Sequence, residues 1–195
     1  MRALRAFLVC LGALLATPAF ANCSNLVANN HEKTPDAGLT DNANQTVTHT
    51  ATGLIWKQCP QGLSGAGCAT GTAATYNWQN ALKQGQAENF VTQTDWRLPS
   101  RNELLSIVES ACASNMINST RFPNAPANAN FWTSTPADEA NPSLARAVNF
   151  TNGTLVAIDK STAAYVRLVR SGTAISLGKD GQPGGSGEAE DIGNR

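Results

Sequence analysis

Short apolar runs separated by turn residues dominate the pattern of hydrophobic and polar positions from residue 39 onward. Leu54-Ile55-Trp56 follows the turn residue Gly53 and predicts a buried strand. Asn152-Gly153 lies between two later apolar runs and predicts a β-hairpin, because this dipeptide suits tight turns between antiparallel strands. The later predicted strands cover residues 131–134, 145–150, 154–158 and 165–170. The pattern indicates a domain rich in short antiparallel strands.

Two segments show the helical spacing of apolar residues instead. The first begins near Thr75, a good N-cap residue, and ends before Gly85. The second begins at Ser100, where Ser100 and Glu103 match a capping box and Pro99 prevents an earlier start. Its apolar stripe is Leu104, Leu105, Ile107, Val108 and Ala111. With the strands, these two short helices predict an α+β domain.

The first 21 residues have the pattern of a cleaved signal peptide. Arg2 and Arg5 precede an apolar run over residues 6–16, and Ala19-Phe20-Ala21 supplies the small-residue cleavage pattern. The apolar run is shorter than the roughly 20 residues that span a bilayer. We therefore expect an exported protein without a transmembrane anchor, located in the periplasm, at the cell surface or outside the cell.

The rest of the chain divides into three parts by composition. Residues 22–38 are polar and contain Pro35 and Gly38, so they read as an N-terminal arm. Residues 171–195 are rich in glycine and poor in apolar residues, which predicts a disordered tail. Residues 39–170 then form the folded domain, long enough for a single hydrophobic core.

The low and balanced charge of the chain limits the classes of partner that it can bind. Only 14% of the residues are charged, and 14 basic residues balance 14 acidic ones. Removing Arg2 and Arg5 with the signal peptide leaves a net charge of −2. Nucleic-acid binding is disfavoured, because it requires an excess of Lys and Arg to neutralise phosphates.

Four cysteines remain after signal cleavage, an even number that predicts two disulfides in an exported chain. The preferred pairing joins Cys59 to Cys68 across a short Gly-rich loop and Cys23 to Cys112, although four cysteines allow three pairings. A metal site is disfavoured, because the chain has no Cys-x-x-Cys pair and only two histidines, His31 and His49.

No catalytic constellation is recognisable. The chain contains no Gly-x-Ser-x-Gly motif, no P-loop and no dinucleotide-binding glycine pattern. Residues 39–170 contain a single histidine, His49, which suits a strand or turn better than a general base. We therefore expect no enzymatic activity, no catalytic residue, no cofactor and no metal.

Binding candidates come from tryptophan and from late basic residues. Trp132 adjoins Thr133 and a proline-flanked loop, which suits a sugar-stacking platform, although a core position is the alternative. Arg146, Lys160 and Arg167 fall on or beside the last strands and could form a cationic face for an anionic glycan. The alternative is scattered surface charge together with a structural arginine paired to an acid.

Six short motifs follow one another in a fixed order along the chain. They are Thr52-Gly53-Leu54-Ile55-Trp56-Lys57, Thr75-Tyr76-Asn77-Trp78-Gln79-Asn80-Ala81-Leu82, Asp95-Trp96-Arg97-Leu98-Pro99-Ser100-Arg101-Asn102-Glu103-Leu104, Ile117-Asn118 with Phe122-Pro123, Phe131-Trp132-Thr133-Ser134 and Tyr165-Val166-Arg167-Leu168-Val169-Arg170. This series resembles the Lcl C-terminal domain family, named for a bacterial collagen-like adhesin, over residues 39–170.

The resemblance implies a compact fold related to the C-type lectins and to the formylglycine-generating enzyme. It also implies export and, for the founding adhesin, attachment to sulfated glycans. The residues that match the family's structural motif are Trp96, Arg97, Pro99, Ser100 and Glu103. The adhesin's collagen-like repeat has no counterpart in residues 22–38, and the near-neutral domain weakens the expectation of a sulfated ligand.

These observations predict a disulfide-stapled, non-enzymatic binding module that recognises a surface glycan or protein in adhesion or envelope organisation. A structural component of a surface assembly is the alternative. A degenerate oxidase or hydrolase of the related enzyme fold is a weaker alternative, because all four mature cysteines are assigned to disulfides. The sequence leaves the ligand's identity and the oligomeric state open.

Overall fold

The computed structural model describes residues 33–113, 115–138 and 140–172. The strands within them are β1 Leu39–Asp41, β2 Thr46–His49, β3 Leu54–Lys57, β4 Leu63–Ser64, β5 Thr70–Gly71, β6 Thr75–Tyr76, β7 Asn130–Pro136, β8 Leu144–Asn149, β9 Thr154–Asp159, β10 Ala164–Tyr165 and β11 Val169–Ser171. The α-helices are α1 Trp78–Ala87 and α2 Arg101–Ser106. The predicted signal peptide, residues 22–32 of the arm and residues 173–195 of the tail lie outside the described residues.

Two principal sheets form the domain, and a third ladder pairs β4 with β5. One sheet has four strands in the order β1-β2-β3-β11, and the other has five in the order β6-β10-β7-β8-β9. Neighbouring strands are antiparallel except β7 and β10, which pair in parallel at Phe131 and Tyr165. The predicted α+β class with two short helices and antiparallel strands is confirmed.

The single strand predicted over residues 165–170 is wrong. The chain instead forms β10 in the five-stranded sheet and β11 in the four-stranded sheet. Val166, Arg167 and Leu168 lie between them and are fully buried. The apolar pattern predicts burial correctly, but it does not show that the buried segment crosses from one sheet to the other.

The core has two parts, one on each face of the five-stranded sheet. The first fills the space between the two sheets and α2, and the second lies on the side of α1. Strand β8 contributes to both, because Ala147 and Val148 point to opposite faces. The largest buried apolar side chains are Trp56, Trp132, Phe122, Phe131 and Phe150.

Helix α2 begins as predicted. The Ser100 hydroxyl accepts a hydrogen bond from the Glu103 N–H, and the Glu103 carboxylate accepts one from the Ser100 N–H, which confirms the capping box. Arg97 donates two further bonds to the Glu103 carboxylate, at 2.8 and 2.6 Å. Buried Pro99 accepts a bond from the Ser134 N–H through its carbonyl, so the motif also fixes α2 against β7.

Helix α2 differs from prediction at its end, and helix α1 differs at both ends. Helix α2 ends at Ser106 rather than continuing along its apolar stripe, and Val108 pairs with Ile117 in an isolated bridge instead. Helix α1 is capped by the Asn77 side chain, two residues after Thr75. It also continues through Gly85, where a Cβ would lie 2.7 Å from the Cα of Arg97. Close packing against this backbone explains the glycine inside the helix.

Covalent and polar links fasten the loops. The Cys59–Cys68 disulfide is present, and Cys112 is also disulfide-bonded, while its predicted partner Cys23 lies outside the described residues. Fully buried Glu109 accepts hydrogen bonds from Thr34 N–H and hydroxyl, from Lys33 N–H and from Ala111 N–H. Burial alone would raise the pKa of Glu109, but these bonds hold it below its usual value. The described part of the arm is therefore fastened to the domain.

The Glu103 ion pair gives a pH-dependent prediction. Hydrogen bonds from Arg97 lower the pKa of Glu103 from 4.5 to about 2, although burial opposes the shift. A depressed folded-state pKa stabilises the fold above pH 4.5 and loses this effect as the pH falls towards about 2. We expect Glu103→Gln to cost about 1 kcal/mol of unfolding free energy at pH 7.

The measurement is urea unfolding of wild type and variant between pH 7 and pH 2. The difference in unfolding free energy should shrink as the pH falls through this window. Arg101→Gln, an exposed change in the same helical turn, is the control and should give no pH-dependent difference. A Glu103→Gln difference that stays constant across the range would contradict the ion-pair assignment.

Gly85→Ala tests the close approach of α1 to Arg97. In an exposed helix this change stabilises by about 1 kcal/mol, because alanine is the better helix former. Here we expect it to destabilise by about 1–3 kcal/mol, because the Cβ would meet backbone rather than a flexible side chain. Thermal unfolding measures the effect, and Gln86→Ala on the exposed face is the control, with a change within about 0.5 kcal/mol.

Candidate binding groove and the Lys57 cluster

Trp132 is fully buried, which corrects the prediction of a sugar-stacking platform. It lies on β7 among the apolar side chains that pack beside α1. Its ring N–H donates to the Tyr76 carbonyl at 2.7 Å. The side chain is therefore a core residue with a satisfied polar atom, which is the alternative that the sequence left open.

Arg167 is also fully buried, so it is not a surface cation. Its Nη1 donates to the carbonyls of Lys57 and Gln58, and its guanidinium lies 4.8 Å from the ring centroid of Phe122. Burial lowers the pKa of Arg167 to about 9. The expected structural arginine is present, but its partners among the described residues are carbonyls and aromatic rings rather than an acid.

Arg146 and Lys160 do not share a face. Ala145 and Ala147 in β8 pack in the cluster beside Trp78, so strand alternation directs Arg146 to the opposite side of the sheet. The Lys160 ammonium lies 4.6 Å from the Trp78 ring centroid and donates to the Pro142 carbonyl at 2.6 Å. The predicted cationic face is therefore not assembled.

A polar groove on the outer face of the four-stranded sheet is the site that the sequence analysis missed. It encloses a cavity of about 260 Å³. Val47 points into the core, so alternation along β2 turns Thr46 and Thr48 to the outer face. We define the polar groove by the residues that line it: Asn42, Asn44, Thr46, Thr48, Ile55, Val91, Gln93, Trp96 and Arg170.

Asparagine and threonine side chains organise one wall of the polar groove. The Asn42 amide donates to the Thr46 and Thr48 hydroxyls at 2.8 and 3.0 Å, and its oxygen accepts from Thr48 at 3.2 Å. Asn44 accepts from the Thr46 hydroxyl at 2.6 Å. These side chains are held by one another, so their remaining donors and acceptors are presented in a fixed arrangement.

The opposite wall contains Arg170, whose positive charge is paired with Asp95. Arg170 Nε donates to the Asp95 carboxylate at 2.7 Å, and Nη2 donates to the side-chain amide oxygen of Gln93 at 2.9 Å. The hydrogen bond from Arg170 lowers the pKa of Asp95. Trp96 forms part of the floor and donates its ring N–H to the Phe90 carbonyl at 3.1 Å. The groove is thus polar with its positive charge paired.

A period-two pattern could have revealed the groove. Asn42, Asn44, Thr46 and Thr48 alternate with other residues through the turn and β2, which places polar side chains on one face of a hairpin. Gln93 and Arg170 give no such signal, because they reach the groove from a distant loop and from β11. Only the tertiary fold brings them to the same wall.

A second, smaller cavity of about 220 Å³ lies next to the polar groove. Asn44 and Val91 line the groove, and their chain neighbours Gln45 and Phe90 line the second cavity. Two of its lining residues, Lys57 and Glu88, form the Lys57 cluster together with Gln61, whose side chain hydrogen-bonds to both. The Lys57 ammonium lies 3.1 Å from Glu88 and also faces the Phe90 ring at 4.6 Å. Burial lowers the pKa of Lys57 and Arg167 adds to this, while Glu88 opposes it.

The described residues contain no group of three or more His, Cys, Asp or Glu side chains arranged to hold a metal ion. None of the helices within them has the length and apolar character needed to cross a membrane. No curated protein matches the chain.

The fold and its surfaces define a small, disulfide-stapled α+β domain with a polar groove on one sheet. The chain belongs to the Lcl C-terminal domain family, which it matches over residues 45–170. The resemblance seen in the sequence is therefore confirmed for most of the chain. Family membership and the disulfide are consistent with an exported, surface-associated module.

Arg167→Lys tests the structural role of the buried guanidinium. Lysine retains the charge but cannot form the same planar contact with two carbonyls and an aromatic ring. We expect a loss of about 2–3 kcal/mol in unfolding free energy, because buried acceptors lose a charged donor. Urea unfolding followed by tryptophan fluorescence measures this loss. Exposed Arg101→Lys should change stability by less than about 0.5 kcal/mol, and equal effects of the two variants would refute the assignment.

Proposed function

We propose that the protein is an exported, non-enzymatic binding module whose polar groove recognises an uncharged surface glycan. The observation that carries the proposal is the groove's chemistry, in which fixed amide and hydroxyl groups surround a guanidinium already paired with Asp95. Sugars offer many hydroxyl donors and acceptors, which match this lining better than a densely charged ligand does. The proposal includes a fold related to the C-type lectins, which the family resemblance implies.

The size of the cavity limits the ligand. About 260 Å³ is below the roughly 300–1,000 Å³ of pockets that enclose a drug-sized molecule. A terminal sugar unit, with the rest of the glycan in solvent, fits this volume. Trp96 is almost fully buried in the floor, so its contribution is an apolar edge rather than an open stacking face.

The proposed ligand is uncharged, unlike the sulfated glycans of the founding adhesin, because none of the described residues that line the groove offers a free cation. Arg170 is engaged by Asp95 and Gln93, while Arg146 and Lys160 lie on different faces. A sulfated chain would need several free cations along its path. Recognition by the polar groove should therefore depend on hydrogen bonds, and added salt should affect it little.

Support for a binding role without catalysis comes from the same residues. The groove lining contains amides, hydroxyls and apolar groups, and its arginine is committed to an ion pair. None of the lining residues is a histidine or a cysteine, and the Asp95 carboxylate beside the groove accepts from Arg170. This set lacks a nucleophile positioned beside a base, which acyl and glycosyl transfer both require.

Glycan-array binding of the exported chain at low and high salt tests the proposal. We expect binding to uncharged glycans that changes by less than about twofold between the two salt concentrations. Asn42→Ala combined with Thr48→Ala should weaken binding about tenfold, the effect of losing hydrogen bonds worth roughly 1–1.5 kcal/mol. Thr40→Ala, exposed on neighbouring β1 and outside the groove lining, is the matched control and should bind normally.

Two results would contradict the glycan proposal. Absence of binding at both salt concentrations would favour the structural-component alternative. Binding that disappears at high salt and depends on Arg146 and Lys160 would instead indicate an anionic ligand on the outside of the domain. The variants Arg146→Ala and Lys160→Ala separate this case, because neither residue lines the polar groove.

A further inference from the structure

The Lys57 cluster brings together an amine, a carboxamide and a carboxylate in one closed triangle of hydrogen bonds. Lys57 Nζ donates to Gln61 Oε1 at 2.9 Å. Gln61 Nε2 donates to Glu88 Oε2 at 2.7 Å, and Lys57 Nζ lies 3.1 Å from Glu88 Oε1. The carboxylate therefore contacts both nitrogens, and the amine contacts the amide carbonyl.

The surroundings make a proton of the Lys57 ammonium easier to remove than in an exposed lysine. Lys57 is 8% exposed and Gln61 7% exposed. The Phe90 ring covers the ammonium at 4.6 Å, and fully buried Arg167 donates to the Lys57 carbonyl. Burial and the nearby guanidinium both lower the pKa of Lys57, although Glu88 opposes them. An amine whose proton is easily removed beside a carboxylate is the arrangement that activates lysine as a nucleophile.

The backbone holds the two reacting side chains in place. Lys57 N–H donates to the Leu168 carbonyl at 3.0 Å, and Gln61 N–H donates to the Val166 carbonyl at 2.9 Å. Both residues are thus fixed to the buried segment that crosses between the sheets. The Cys59–Cys68 disulfide constrains the loop between and beyond them. Reacting groups held at contact distance gain much of the rate advantage of an intramolecular reaction.

We propose that Lys57 and Gln61 join through an intramolecular isopeptide bond, with Glu88 as the catalytic residue that moves the protons. Glu88 removes a proton from the Lys57 ammonium, and the freed Nζ attacks Cδ of Gln61. Glu88 then returns this proton to the Gln61 nitrogen, which leaves as ammonia when the carbonyl re-forms. The second proton that Nζ loses passes through Glu88 to the released ammonia, which leaves as ammonium. The balance is one ammonium and one carboxamide giving one secondary amide and one ammonium ion, with no oxidant or external energy source.

A purely structural ion pair would have different chemical consequences from a covalent bond. It leaves both side chains chemically intact, and it gives Gln61 only the role of a bridging hydrogen-bond partner. The covalent bond would instead close a small ring that encloses Cys59, so that one loop carries a disulfide and an amide cross-link together. The amide would also survive reducing conditions, which the disulfide does not.

Intact-mass spectrometry of the exported wild-type chain tests the proposal. Relative to the sequence mass of the same chain, with its disulfides counted, we expect a loss of about 17 Da, the mass of ammonia. Tryptic digestion after reduction should leave the Lys57–Gln58 bond uncut, because the side chain of Lys57 is no longer charged. Fragmentation should then place the loss between Lys57 and Gln61.

Matched variants exclude other sources of the same mass change. Succinimide formation at Asn152-Gly153 also releases ammonia, so the loss has to be mapped to its peptide. Lys57→Arg keeps the ion pair with Glu88 but cannot form the amide, and Glu88→Gln removes the proton carrier. Both should show the unmodified mass in this peptide, whereas exposed Lys83→Arg should retain the loss.

The wild-type protein decides the question even if a variant fails to fold. An unmodified peptide over residues 57–61 with normal cleavage after Lys57 would overturn the proposal. A loss that maps to Lys57 and Gln61 and persists in Glu88→Gln would retain the bond but overturn the catalytic role of Glu88. Neither result bears on glycan binding, because the polar groove is lined by other residues.

Discussion

The guanidinium of Arg167 is the interaction on which the rest of the domain depends. It lies at the centre of the segment that leaves β10 in one sheet and enters β11 in the other. Removing a cation from water costs several kcal/mol unless it gains partners. Here the carbonyls at the end of β3 and the faces of Phe122 and Phe131 supply them. One buried side chain thereby joins both sheets and the loop that follows β3.

The same arrangement places two chemically different surfaces side by side. The polar groove is lined by neutral groups on the outer face of the four-stranded sheet, while the Lys57 cluster lies where β3 leaves that sheet. The buried positive charge of Arg167 acts on Lys57, and Arg167 is not among the residues that line the groove. The proposed recognition site and the proposed cross-link are therefore separated only by neighbouring residues at 44–45 and 90–91.

Features encoded by neighbouring residues could be predicted, and features encoded by distant contacts could not. The capping box at Ser100 and the hairpin at Asn152-Gly153 depend on residues a few positions apart, and both are present. The sequence leaves Arg167 open between a surface cation and a structural arginine, because nothing local shows that aromatic rings and carbonyls from elsewhere surround it. Trp132 was ambiguous for the same reason, since a tryptophan has the same local pattern in a core and on a platform.

The candidate site shows the same division. The alternating Asn and Thr residues before and within β2 were visible in the sequence, but their outward direction depends on which face the sheet buries. The apolar stripe predicted for α2 extends past the end of the helix, because Ile107, Val108 and Ala111 are buried without being helical. Hydrophobic periodicity reports burial, and the structure decides whether helix, bridge or loop provides it.

The four-stranded sheet has a mechanical consequence. Leu39 at the start of β1 and Ser171 at the end of β11 belong to one cross-strand row, through His49 and Leu54. The chain therefore enters and leaves the sheet at the same end. A pulling force applied between these two points opens the strand pairs one rung at a time, like a zipper, instead of loading all rungs together in shear.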